Sequence, residues 1–238
     1  MSMNEVAHST QRSATWRRIW ENKYDGATGP VHKLDGFDLL TEEQWTGLVS
    51  RFCDYMGSTN GMDILEVGCG AGAFLQNIPA PRSLAGLDYS QKAVDLIRRN
   101  LSGRFFCAEA NDIPFPDASF DIVFSFGVFF YFENLAYAEA VLREMCRVAR
   151  PGSRIFILDV NDEEKIDIYH QVREVEVARA QVKKTDADTT HLFFGKDWFQ
   201  AVGSALGAKV SIVDETELGI EFYSGCEYRF AVRFDVPG

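Results

Sequence analysis

The stretch Asp63-Ile-Leu-Glu66-Val-Gly68-Cys-Gly70-Ala-Gly72-Ala-Phe-Leu75 decides how this chain folds. A short apolar run ends in an acid and is then broken by three glycines at alternate positions. Glycine adopts positive φ angles and lets a ligand approach the bare backbone. The stretch therefore predicts a buried strand, a tight turn and the N-terminus of a helix, arranged to hold a ligand.

A second apolar run, Leu84 to Leu87, ends in Asp88. An acid at the tip of the second strand of a βαβ unit is placed to accept hydrogen bonds from ribose hydroxyls, so the two elements predict a nucleoside-containing cofactor. Gly68, Gly70 and Ala73 can be fitted to the dinucleotide pattern G-x-G-x-x-G/A. Glu66, two residues before the first glycine, and the further glycine at position 72 favour a different nucleoside.

The pattern E-x-G-x-G-x-G resembles motif I of the class I S-adenosylmethionine-dependent methyltransferases, and Leu87-Asp88-Tyr89-Ser90 resembles the acidic element that follows it. The run Ala108-Glu-Ala-Asn-Asp-Ile-Pro-Phe-Pro-Asp-Ala-Ser-Phe-Asp-Ile-Val123 is similar to a segment of the type 11/12 methyltransferases. The resemblance covers roughly residues 60 to 160, with the three elements in the family's order and spacing.

The resemblance implies S-adenosylmethionine as the cofactor and gives each matching position a role. The glycine loop, with Cys69 in it, would lie against the amino-acid part of the cofactor, and Glu66 would hold its ammonium group. Asp88 would bind the ribose hydroxyls. The remaining expected contacts are Tyr89 beside the adenine, Glu109 and the Ala110 N–H on its edge, and Ser125 with Phe126 near the methyl group.

The hydrophobic pattern predicts an α/β fold: a Rossmann-like, doubly wound, mostly parallel seven-stranded sheet with an antiparallel edge hairpin. The expected strands are 62–67, 84–88, 103–107, 119–125, 153–159, 208–214 and 226–234, and the expected helices are 10–22, 41–56, 72–78, 90–101, 134–149 and 196–206. Residues 1–60 are interpreted as a helical N-terminal cap and 61–238 as the methyltransferase domain. Residues 160–195 are expected to form a helical lid or insertion, and the whole chain one structural domain.

Two side chains are candidates for a general base at the acceptor, His191 and Tyr131. His191 follows the expected lid, and Tyr131 follows the fourth strand. Asp159, Asn161 and Asp162 follow the fifth strand and offer oxygen ligands suited to Mg²⁺. Ser125-Phe126-Gly127 stands where catechol-type methyltransferases place an acid, so a third ligand is missing and no metal site is predicted.

The net charge of −11 disfavours binding to a phosphate backbone, so no nucleic-acid partner is expected. The five scattered cysteines are typical of free thiols in a reducing compartment. The N-terminus lacks the pattern of a signal peptide, and the longest apolar run, Ile122 to Phe132, is too short to span a bilayer. We therefore expect a cytoplasmic protein with no membrane partner, while the oligomeric state stays open.

Aromatic residues and acids are frequent in 10–45, 160–195 and Gly219 to Gly225, the segments expected to cover the sheet edge where the cofactor binds. Such a pocket suits a small, partly apolar or cationic acceptor. The sequence thus predicts a methyltransferase acting on an oxygen or nitrogen atom of a small molecule. The alternatives are a nucleic-acid or protein methyltransferase, a non-catalytic methyltransferase-like binding protein and a nicotinamide-dependent oxidoreductase.

Overall fold

A computed structural model of the chain describes residues 15–26, 28–180 and 191–238. In these ranges seven strands form a single sheet. They are β1 Asp63–Val67, β2 Ser83–Asp88, β3 Arg104–Cys107, β4 Phe120–Phe126, β5 Ala149–Asn161, β6 Lys209–Asp214 and β7 Arg229–Asp235. Their order across the sheet is β3-β2-β1-β4-β5-β7-β6.

Seven helices surround the sheet in the described part of the chain. They are α1 at residues 15–23, α2 Val31–Leu34, α3 Glu42–Met56, α4 Gln91–Asn100, α5 Leu135–Val148, α6 Ile166–Ala180 and α7 Lys196–Ala205. Three of them start at a polar side chain that accepts a backbone N–H: Thr41 before α3, Ser90 before α4 and Asn134 before α5. Such caps satisfy donors that the first helical turn leaves without partners.

Strands β1 to β5 run parallel, and β7 pairs antiparallel with both β5 and β6. The central strands β1, β2 and β4 are buried on both faces, since helices cover both sides of the sheet, whereas the edge strand β3 is mostly exposed. This confirms the predicted fold class. From β1 the chain first builds the sheet outward to β2 and β3, and later returns to add β4 and β5 on the other side. The carboxyl ends of β1 and β4 therefore flank the crevice where open α/β sheets bind ligands.

The predicted helix at 72–78 is wrong, because the chain forms only a short 3₁₀ turn at Leu75–Asn77. Gly70 and Gly72 have φ angles of +51° and +94°, which an α-helix does not accommodate. Ile78 is extended, with ψ at 124°, as expected for a residue that precedes a proline. Too few residues remain between these limits for a helix to form.

The N-terminal helices pack onto the sheet instead of standing apart from it. Phe52 and Met56 of α3 lie in the same apolar core as Phe124 and Phe156 of the strands. The first part of the helix predicted at 10–22 lies outside the described residues, as does part of the expected lid at 181–190. Helix α6 occupies most of the described part of that lid. The domain boundaries remain predictions.

None of the helices in the described ranges is both long enough and apolar enough to cross a membrane.

Candidate functional site

Two cavities lie at the carboxyl ends of the parallel strands. The first has a volume of about 360 Å³ and is lined by the glycine loop, the end of β2, the segment after β3 and helix α1. The second, of about 710 Å³, lies beside it between α6, the segment before α3 and the Phe222 to Arg229 segment. Four residues line both cavities: Asp35, Phe37, Gly127 and Tyr131. The two cavities therefore meet at this junction.

The glycine loop has no room for side chains at its alternate positions. A Cβ at Gly68 would lie 2.6 Å from Val128, and one at Gly72 would lie 2.7 Å from Ile97 of α4. At Gly70 it would lie 2.5 Å from Oδ1 of Asp35. All three glycines also have positive φ, so the sequence pattern is explained by both backbone conformation and close packing.

Every backbone N–H from Gly68 to Ala73 is already bound within the protein. The backbone carbonyl of Leu87 accepts from Gly68 and Cys69, and that of Cys69 accepts from Gly72. The Asp88 carboxylate accepts from Gly70, and the Asp35 carboxylate accepts from Ala71 and Ala73. All six distances lie between 2.8 and 3.0 Å. A pyrophosphate needs free N–H groups at such a loop. In this loop the N–H groups are already bound to acceptors of the protein. The loop therefore disfavours a dinucleotide.

Three acids converge on the first cavity: Asp35, Glu66 and Asp88. Burial raises the pKa of Asp35 and of Asp88 to about 6. Burial, followed by the nearby Asp35 and Asp88, holds the pKa of Glu66 well above its usual range. Oε2 of Glu66 is buried and has no hydrogen-bond partner. A cavity rich in acceptors, with one of them unsatisfied, fits an ammonium group, which donates hydrogen bonds, and its negative charge attracts a sulfonium.

The other end of the first cavity is formed by Tyr89, Glu109 and Ala110. The Arg17 guanidinium of α1 lies 4.5 Å from the centre of the Tyr89 ring and donates to Glu109 Oε1. The Tyr137 hydroxyl donates to Glu109 Oε2 at 3.3 Å. A planar base entering here would meet an aromatic face, a carboxylate and a guanidinium.

The structure brings the two base candidates together near the junction. Tyr131 lines both cavities, and His191 lines the second. Their ring centres are 5.3 Å apart, and Nδ1 of His191 lies 3.0 Å from the Tyr169 hydroxyl. Burial raises the pKa of Tyr131, so its phenol is neutral. Trp16 of α1 stacks on the His191 ring at 5.0 Å.

Two residues predicted to contact the cofactor, Ser125 and Gly72, do not line the first cavity. Ser125 is fully buried and donates to the Val67 carbonyl at 2.8 Å, so it joins β4 to β1 and does not line the first cavity. Gly72 also lies off the cavity wall, because the close approach it permits is to Ile97. Phe126, the neighbour of Ser125, does line the cavity.

The oxygen ligands expected to follow the fifth strand lie at the end of β5, which extends to Asn161, and they serve other partners. Asp159 Oδ2 accepts from Arg229 at 2.6 Å, and Asn161 Oδ1 accepts from Arg229 at 3.1 Å. Asp162 lies 3.2 Å from the Lys196 ammonium. Among the described residues no three His, Cys, Asp or Glu side chains are grouped as metal ligands.

Several residues of the site were missed by sequence reasoning. Asp35, Arg17 and Phe37 come from the polar N-terminal region, where no local pattern marks them. Asp159 has a φ angle of +64° and joins Tyr223 and Arg229 in a buried network at the inner end of the second cavity. Asp159 and Arg229 are 70 positions apart, so only the tertiary fold reveals this pair.

The comparisons with known proteins agree with this geometry. A family model described as a methyltransferase domain matches residues 65–157. The chain is 34% identical over 138 residues to 2-phytyl-1,4-beta-naphthoquinone methyltransferase of Arabidopsis thaliana, with 52% of this chain and 51% of that protein covered. It is 28% identical over 180 residues to fatty-acid O-methyltransferase of Mycolicibacterium smegmatis, with 66% and 65% covered. The chain thus spans about half the length of the first relative and less than two thirds of the second.

Among solved structures, the fold is similar to that of Haemonchus contortus phosphoethanolamine N-methyltransferase 1 in complex with phosphoethanolamine and S-adenosylhomocysteine. The TM-score is 0.68 at 13% identity, covering 95% of this chain and 49% of that one. At this level of identity the likeness concerns the fold alone.

Proposed function

We propose that this chain is a class I S-adenosylmethionine-dependent methyltransferase that transfers the methyl group of its cofactor to an oxygen or nitrogen atom of a small molecule. The observation that carries this proposal is the junction at which an acid-lined cavity meets a second, larger one. A cationic methyl donor in the first cavity and an acceptor in the second would meet there.

The residues of the first cavity fit the cofactor. Glu66, with its unsatisfied buried oxygen, and Asp35 suit the positively charged end. Asp88 suits the ribose hydroxyls, and Tyr89 with Glu109 suits the adenine. When bound, S-adenosylmethionine supplies a sulfonium methyl group, which is already an activated electrophile. The protein then has to exclude water and hold the acceptor in line, and such positioning alone lowers a barrier by many kcal/mol.

The second cavity suits the acceptor, and the three segments expected to cover the sheet edge all contribute to it. Phe37 comes from the N-terminal segment, Val172 from α6 and Tyr223 from the segment before β7. Tyr131 and His191 are proposed to orient the acceptor or to take its proton, since both lie near the junction. A cavity of about 710 Å³ with both aromatic and polar lining residues favours a small molecule over a nucleic acid or a protein.

The cysteines support a cytoplasmic location for this enzyme. All five are free, at Cys53, Cys69, Cys107, Cys146 and Cys226. Free thiols of this number are typical of a reducing compartment.

Titration calorimetry tests the cofactor assignment, with S-adenosylmethionine, S-adenosylhomocysteine and NADH as separate ligands. We expect micromolar affinity for the first two and none for NADH. Asp88→Ala should weaken binding of S-adenosylmethionine roughly 10- to 100-fold, because the ribose hydroxyls lose a charged acceptor worth about 1–3 kcal/mol. Asp54→Ala, at an exposed position outside both cavities, is the matched control. Binding of NADH alone would overturn the proposal in favour of an oxidoreductase.

Transfer itself is tested with a labelled methyl donor and separate panels of phenols, amines, bulk tRNA and unfolded protein. Label in the small molecules is the expected result. Label confined to tRNA or protein would contradict a small-molecule acceptor while leaving the methyltransferase chemistry intact.

A further inference from the structure

The second cavity has two chemically different ends. Its inner end, near the junction, carries Tyr131, His191, Asp159 and Arg229. Its rim carries Leu39, Ile168, Val175 and Phe222, which are 52%, 36%, 50% and 42% exposed. Among the described residues seven large apolar side chains are exposed, and four of them are these rim residues. Their concentration at one opening indicates a surface that binds an apolar group.

Five of the charged side chains that line this cavity are paired within the protein. Asp159 binds Arg229 at 2.6 Å, and these side chains are 1% and 8% exposed. Glu176 pairs with Arg173 at 3.2 Å, and Asp38 pairs with Lys23 at 2.7 Å.

The remaining acids that line the cavity are Asp35 and Glu227. Asp35 accepts hydrogen bonds from the N–H groups of Ala71 and Ala73 and from the Tyr24 hydroxyl. Glu227 is exposed to solvent. Asp35 is proposed above to hold the positive end of the cofactor, so a cationic acceptor would compete with the cofactor for this carboxylate. An anionic acceptor at the inner end would have to break the buried Asp159–Arg229 pair or remain unpaired, and both are costly.

Arg229 in particular is held in place and is not available as an anchor for an anion. Its guanidinium lies 4.8 Å from the Phe130 ring centre and 4.9 Å from that of Tyr228. It also donates to Asp159 and Asn161. Turning toward a carboxylate would give up these contacts. The inner end therefore offers the Tyr131 hydroxyl as a hydrogen-bonding group, beside the His191 ring.

We propose that the acceptor is an elongated amphiphile with an uncharged hydroxyl head, of the phenol or hydroquinone class, and an apolar tail. This rests on the proposed function above. The head lies at the junction beside Tyr131 and His191, and the tail leaves across Val175 and Phe222. The acceptor oxygen forms the new C–O bond as the S–CH₃ bond breaks and its electron pair returns to sulfur. The hydroxyl proton passes to His191 or to solvent.

The first test compares 4-methyl-, 4-butyl- and 4-octylphenol with the corresponding alkylamines and alkanoic acids. Because each buried methylene contributes to binding, kcat/KM for the phenols should rise at least tenfold from methyl to octyl. Calorimetry in the presence of S-adenosylhomocysteine should show the same order of affinity without any turnover. Faster methylation of the amines or the acids, or no dependence on tail length, would overturn the proposal.

Rim variants provide the second test. Val175→Ser and Phe222→Ser should each lower the ratio of kcat/KM between octylphenol and methylphenol at least threefold. Phe106→Ser, which alters an exposed aromatic residue that lines neither cavity, should leave the ratio unchanged. An unchanged ratio in both rim variants would contradict the tail path.

Binding of S-adenosylhomocysteine distinguishes an error in the acceptor class from an error in the proposed function. If S-adenosylhomocysteine binds but none of the phenols is bound or methylated, the acceptor class is wrong and the proposed function stands. If S-adenosylhomocysteine itself does not bind, both fail together.

Discussion

The Asp88 carboxylate accepts a hydrogen bond from the Gly70 N–H at 3.0 Å. Asp88, the last residue of β2, is thus held in place by the glycine loop that follows β1. Its other oxygen accepts from the Ser90 N–H at 2.9 Å, so both oxygens are oriented before any ligand arrives. A carboxylate that is already oriented loses little entropy when it binds two hydroxyls.

Replacing Gly70 should damage this arrangement. Gly70→Ala would strain a backbone at φ +51° and bring a Cβ to 2.5 Å from Asp35 Oδ1. We expect a loss of about 1–3 kcal/mol in the free energy of unfolding, measured by urea denaturation, and at least tenfold weaker S-adenosylhomocysteine binding. Gly152→Ala is the matched control, since Gly152 has φ +76° but nothing within 4 Å of its Cβ position. Equal effects in both variants would show that backbone strain alone, without the contact with Asp35, causes the loss.

The acid cluster should make stability and cofactor affinity change with pH in opposite directions. Burial raises the pKa of Asp35 and Asp88 to about 6 in the folded protein, above the value of about 4 in an unfolded chain. The folded state therefore binds more protons between about pH 4 and 6, and these two groups destabilise the fold as the pH rises through that window. Thermal unfolding at constant ionic strength should show a smaller rise in stability on acidification for Asp35→Asn/Asp88→Asn than for the wild type.

Binding of the cationic methyl donor should instead tighten as the pH rises from 5 to 7, because the carboxylates become charged. S-adenosylhomocysteine, which lacks the sulfonium charge, should show a weaker dependence. Calorimetry with both ligands at each pH gives the comparison. An identical pH dependence for the two ligands would contradict an electrostatic role for the cluster.

The strands and most helices could be predicted because each is marked by its own residues. Thr41 caps α3 as its position before two acids indicated, and the apolar runs at 62–67 and 84–88 became β1 and β2. The failure at 72–78 has a local cause too, since glycine angles and a following proline limit the helix. The prediction followed the resemblance to a ligand-binding loop and overlooked that residues 72–78 are poor helix formers.

The side chains that complete the site could not be predicted in the same way. Asp35 belongs to the loop only because its carboxylate reaches the Ala71 and Ala73 N–H groups, 36 and 38 positions away. No local pattern records such a contact. Asp159 and Arg229 likewise meet because β7 returns antiparallel beside β5, a pairing that fixes the neighbours of each strand residue.

The buried pair of Asp159 and Arg229 should be costly to break and cheaper to replace as a unit. Arg229→Met leaves Asp159 buried without its cation, and we expect a loss of about 3–5 kcal/mol in urea denaturation. The double variant Asp159→Asn/Arg229→Met should lose less than the sum of the single variants. Arg143→Ala, which removes an exposed pair with Glu139, should cost about 0–1 kcal/mol. Additive losses in the double variant would show that the two side chains do not stabilise each other.

Tyr131 and His191 should affect turnover more than cofactor affinity. Both lie near the junction, with His191 confined to the second cavity, so Tyr131→Phe and His191→Ala should leave S-adenosylhomocysteine affinity near that of the wild type. If His191 takes the acceptor proton, kcat should fall about 100-fold and the loss should shrink with acceptors of lower pKa, which need less help in losing a proton. His170→Ala, at an exposed histidine of α6, is the control. A loss of cofactor binding in either variant would assign that residue to the cofactor side, whereas unchanged turnover would exclude it from the reaction.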